Sequence, residues 1–162
     1  MSAVVRTDKM YATDVRAGLV SVRYQPNDEM KDIDNGNVVK LGELEDGSRE
    51  IYKGDTPTSS DALGDVVLIA TPEMIYDETV RGLDKFYNKA GRIARGYRLH
   101  KGDIFSVTED ALEGTPALGN AVELMDGTKL STVASASGAT LVGTIVDVNV
   151  VGRYTYYAIE VA

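Results

Sequence analysis

The sequence predicts a mainly β fold: a β-sandwich or barrel-like lobe, or two such lobes, with one short helix and an extended N-terminal arm. Three observations carry this. Val-, Thr- and Tyr-rich runs recur between tight-turn residues, and 16 of the 162 residues are glycine. Gly36-Asn37-Val38-Val39-Lys40-Leu41 is echoed by Gly119-Asn120-Ala121-Val122-Glu123-Leu124, each followed by an Asp-Gly pair, Asp46-Gly47 and Asp126-Gly127. Each echo therefore reads as a strand leading into a hairpin turn. Finally, Thr140–Val151 and Tyr154–Val161 flank Gly152-Arg153, two β-rich runs separated by two turn residues.

In chain order, Met1 to Ala12 is polar after Val5 and lacks periodicity, so it reads as an arm, either frayed or strapped onto a neighbouring subunit. Leu19 to Tyr24 alternates as a strand does. Asp34-Asn35-Gly36-Asn37 has strong turn chemistry, and Val38 to Leu44 is the first echo strand, with Glu50 to Lys53 returning after Asp46-Gly47. Residues 55–64 are rich in breakers and small polar side chains. They mark either a boundary at which the β-rich domain, 13–162, divides into lobes at 13–54 and 65–162, or one ordinary long loop.

Val66 to Ala70 reads as a buried strand. Tyr76, Val80, Leu83 and Tyr87 are spaced by four, three and four, the stripe of an amphipathic helix, and place a short helix around Val80 to Asn88. Ile93 to Leu99 and Ile104 to Thr108 read as strands around Lys101-Gly102-Asp103. Ala121 to Met125 and Thr128 to Ala134 form the second echo.

Composition narrows the function classes. The net charge is −8 and cysteine is absent. A surface of that sign repels phosphate and disfavours direct nucleic-acid binding. No thiolate metal site or disulfide framework is available. The first ten residues lack the apolar core of a signal peptide, and no apolar run approaches membrane-spanning length, so no membrane partner is expected.

No catalytic constellation is visible. The single histidine, His100, stands among Arg98 and Lys101 with no nucleophile motif, and reads as a surface residue. Asp28, Glu29, Asp32 and Asp34 are dense enough for a weak ion site near Asp32 and Asp34. Their spacing fails the EF-hand pattern, because Gly36 and Asn37 fall where a ligand and then a glycine belong. A solvated acidic loop is the simpler reading, and no metal or cofactor is expected. Arg81, Lys85, Lys89, Arg92, Arg95, Arg98 and Lys101 form a basic segment inside an acidic protein. Such asymmetry steers docking onto an acidic partner or a sister subunit.

The stretch from Arg92 to Thr108, with Asp34-Asn35-Gly36-Asn37-Val38-Val39-Lys40-Leu41-Gly42 upstream, resembles capsid decoration (head-stabilising or cement) proteins of tailed bacteriophages. The resemblance runs diffusely over residues 10 to 160. It implies a non-enzymatic virion protein, made in the bacterial host cytoplasm and bound to the capsid exterior. There it would clamp adjacent major capsid protein subunits, often as a homo-oligomer with a trimer favoured. The expected contact residues are Tyr11 in the arm and Arg92 and Arg95 in the basic segment. Two other readings are a tail or head–tail connector component and a carbohydrate-binding β module for host attachment.

Overall fold

The computed structural model describes residues 3–6, 18–76 and 82–162. Eleven strands form two sheets. The first five are β1 (Leu19–Tyr24), β2 (Val38–Leu44), β3 (Ile51–Asp55), β4 (Val66–Ile69) and β5 (Ala94–Arg98). They close into a barrel in the order β1-β3-β2-β4-β5. The barrel closes because β1 lies parallel to β3 on one side and antiparallel to β5 on the other.

The remaining strands are β6 (Ile104–Thr108), β7 (Leu112–Glu113), β8 (Ala121–Leu124), β9 (Leu130–Val133), β10 (Leu141–Val151) and β11 (Tyr154–Val161). They make a six-stranded sheet in the order β6-β11-β10-β8-β9-β7.

Both echoes are hairpins, one in each sheet. β2 pairs antiparallel with β3, and β8 with β9. The terminal hairpin β10–β11 turns at Gly152, whose φ of 62° suits a residue without a side chain.

β4 joins the two cores. Its alternating side chains split between them, as a strand's two faces require. Val67 and Ile69 pack inside the barrel with Val22, Ile33, Val39 and Ala94. Val66 and Leu68, followed by Ala70, pack outward with Val38 against the second sheet, among Phe105, Val107, Leu124, Ile145 and Ile159. A four-residue strand buried on both faces needs an unbroken apolar run, and Val-Val-Leu-Ile supplies it.

Two expectations are corrected. The helix around Val80 to Asn88 is not formed over its described part. Leu83–Lys85 is a single 3₁₀ turn, Phe86 is already extended, and Asn88 bridges to Ile33; residues 77–81 lie outside the described set. The physical reason is visible in the supposed stripe: Tyr76, Leu83 and Tyr87 are all exposed, so no apolar face is there to bury.

The division into lobes at 55–64 also fails. That loop connects β3 to β4 within the barrel, and the change of sheet falls at the short turn between Arg98 and Ile104. The start of the arm lies along the chain's own second sheet. Ala3, Val4 and Val5 are buried, Val5 bridges to Val107 of β6, and Arg6 N–H donates to the Ser106 carbonyl. Two adjacent valines gain more from burial than from solvent. The rest of the predicted arm, from Thr7 to Ala12, lies outside the described residues.

Candidate docking surface

The basic segment reaches the surface beside β1. Arg92 and Arg95 are both exposed, and neither makes an ion pair among the described residues. β5 places Arg95 opposite Ser21 of β1. Gly96 allows β5 to sit close at this point: a Cβ there would lie 2.9 Å from Val67 Cγ2 and 3.0 Å from Val20 Cγ2. The strand is further held by Thr71 Oγ1, which accepts the Arg95 backbone N–H at 3.0 Å.

A shallow groove of about 400 Å³ opens along this edge, lined by Leu19, Val20, Thr71, Pro72, Ile93 and Arg95 among others. Leu19 is 42% exposed and Ile93 46%, so the groove floor is apolar and solvent-facing. A second hollow of about 350 Å³ shares Leu19, Val20 and Ser21 and adds Glu50, Tyr52 and Arg98. Arg98 contributes one long contact, from its guanidinium to the Gly64 carbonyl at 3.4 Å. Arg95 and Arg98 thus border an open apolar strip on a protein of net charge −8, and Arg92 precedes Ile93 in the chain. Open grooves of this shape suit a protein segment better than an enclosed small molecule.

The other sequence candidates resolve into structural roles. His100 is exposed, and its backbone N–H donates to Asp103 Oδ2 at 2.9 Å while Asp103 N–H donates to the His100 carbonyl. Together they close the turn that links the two sheets. The acidic cluster disperses. Asp28 lies 3.8 Å from Lys53 Nζ, Glu29 lies 3.1 Å from Lys31 Nζ, and Asp32 accepts the Ala90 N–H. Among the described residues no group of three or more His, Asp or Glu side chains converges on a metal position. Tyr11 lies outside the described residues.

Charged groups elsewhere tie loops down. Asp84 accepts from Arg153 at 2.6 Å and from the Tyr154 hydroxyl at 3.0 Å, clipping the β10–β11 turn to the segment before β5. Burial pushes the Asp84 carboxyl up, but the Tyr154 hydroxyl and the Arg153 charge outweigh it and hold it below the usual carboxylate range. Lys40 and Asp61 pair at 2.5 Å. The shared hydrogen bond is the main cause that raises Lys40 and lowers Asp61.

Sequence reasoning marks Arg92 and Arg95 by charge but misses Leu19 and Ile93. Apolar residues at strand ends read as core, and nothing local shows that they face water. Compared with protein-family models, curated proteins and solved structures, the chain matches none.

Proposed function

We propose that this chain is a non-enzymatic structural protein of a tailed-phage virion, bound to the outer surface of the capsid and stabilising contacts between major capsid protein subunits. The observation that supports the reading is the groove beside β1. An acidic protein leaves Arg95 at an apolar strip formed by Leu19, Pro72 and Ile93, with exposed Arg92 next to Ile93 in sequence, and neither arginine has an ion pair among the described residues. That arrangement suits docking onto an acidic, partly apolar protein surface, with the cations steering approach and the strip supplying buried area.

Repetition over a symmetric shell turns modest single contacts into firm attachment. The test is co-sedimentation of the purified chain with matching shells that lack it. Wild type pellets with the shells, and an R92E/R95E double variant loses most of that binding while keeping its circular dichroism spectrum. A wild-type chain that stays in the supernatant at low salt overturns the proposal.

A further inference from the structure

Among the described residues the six-stranded sheet has one long uncovered edge, and its sequence is self-complementary. β8 covers β10 only from Leu141 to Thr144. The backbone of Gly119 and Asn120 then bonds Ile145 on both its N–H and C=O. Beyond that point residues 147–151 pair only with β11 among the described residues, and the register shifts at Val146. The barrel has no edge because it closes, and the outer edge of β6 carries Val5. Val148 is 39% exposed and Val150 69%, and neither the Asp147 nor the Asn149 side chain has a hydrogen-bond partner within the described residues. Natural edge strands are blunted with Lys, Pro, charges or bulges; this one has no Lys or Pro, its register shift at Val146 lies at the start of the open stretch, and its single charge is that of Asp147.

We propose that this edge pairs with the same edge of a second copy, antiparallel about a twofold axis through Val148. The charge pattern selects this occupant. A twofold axis normal to the sheet pairs Val148 with its own copy and Asp147 with Asn149, and brings Val150 opposite the irregularity at Val146. The segment Val146-Asp147-Val148-Asn149-Val150 reads the same in both directions in polarity. Each carboxylate then faces a carboxamide able to donate to it, and valines face valines on the other side. In-register parallel pairing would instead set Asp147 against Asp147, the like-charge arrangement that destabilises a sheet.

The contact is isologous, so it yields dimers. The trimer implied by resemblance needs a head-to-tail contact, which a self-complementary edge does not provide. The inference stands apart from shell binding, because the edge belongs to β10 and the groove to β1 and β5.

The chain has no cysteine, so a single introduced thiol reports the register. In the full chain, V148C sits opposite its own copy at a cross-strand distance that a disulfide spans. It is expected to give a covalent dimer under mild oxidation, whereas V150C, opposite Val146, gives little. Sedimentation of the unmodified chain is expected to show twice the monomer mass at high concentration, and V148K the monomer mass with an unchanged circular dichroism spectrum. A wild-type chain that stays monomeric, or equal linking of V148C and V150C, overturns the proposal. Shell binding measured on V148K reads the two proposals separately.

Discussion

The two Gly-Asn echoes share a backbone and differ in everything around it. Gly36 has φ 86° and Gly119 φ 84°, both in the left-handed region that a side chain resists. A Cβ on Gly36 would lie 3.0 Å from the Ala111 Cβ and 3.2 Å from Val5 Cγ2, whereas a Cβ on Gly119 would meet nothing within 4 Å. The preceding residues diverge in the same way. Asn35 is 1% exposed, and Leu118 is 67% exposed. Asn35 holds the Thr71 N–H at 3.0 Å through Oδ1, which also accepts from Asn88 Nδ2, and donates to the Thr71 carbonyl at 2.7 Å.

The charged positions of the two strands, Lys40 and Glu123, each anchor a loop, but by different means. Lys40 pairs with Asp61 at the surface, while Glu123 is 1% exposed and accepts from Ser137 N–H at 2.7 Å and Ser137 Oγ at 2.5 Å, with no ion pair among the described residues. The echoes even touch: Thr128, just past the second turn, accepts the Val38 N–H, and its hydroxyl takes a bond from Asn37 Nδ2 at 3.1 Å. A short sequence pattern thus specifies a turn, and its neighbours decide whether that turn is a surface corner or a seam.

Substitutions at matched positions test this contrast. Gly36→Ala combines backbone strain with a crowded Cβ and is expected to cost about 3–4 kcal/mol. Gly119→Ala meets only the strain and costs about 1 kcal/mol. Urea denaturation of both variants checks the pair, and equal losses would sink the contrast. Removal of the buried carboxylate by Glu123→Ala forfeits charge-assisted bonds and costs about 3 kcal/mol. Hydrogen exchange in 134–139 should rise with it.

The smallest effect belongs to the surface pair. Asp61 is depressed by its hydrogen bond to Lys40, so its contribution is present above the ordinary value of 3.8 and fades as pH falls through the lower folded value. Lys40 is raised, so its contribution holds below 10.5 and fades as pH climbs through the higher folded value. The stability gap between wild type and Asp61→Asn should therefore be widest near neutrality and close at both extremes. Denaturation series across pH measure it, and a gap independent of pH would remove the ion pair from the account.

Local structure was largely legible in the sequence. β1 occupies the residues that alternation assigns it, Leu19–Tyr24, and β6 the run after Lys101-Gly102-Asp103, Ile104–Thr108. The β10–β11 turn falls at Gly152-Arg153 as its chemistry indicates. What no local pattern carries is closure. The pairing of Val20 with Gly96 spans most of the first sheet's sequence, and the parallel pairing of β1 with β3 leaves no turn signature.

The lobe boundary misleads because breaker density measures loop length and not sheet membership. The apolar spacing from Tyr76 to Tyr87 misleads because helical spacing means little when its residues face water. At the candidate surface, charge made Arg92 and Arg95 visible. The free edge of β10 stayed hidden, because it exists only through the shortness of β8.

One consequence of β4 remains. The barrel and the six-stranded sheet are linked covalently by a few exposed residues around Lys101-Gly102. They are held together, though, by Val66 and Leu68, by Val5 on β6, and by Thr128 on Val38. A nick in the peptide bond at Gly102 would part the chain without parting the molecule. The protein's unity resides in a strand that serves two interiors, and the link that joins its halves in sequence is the least of their attachments.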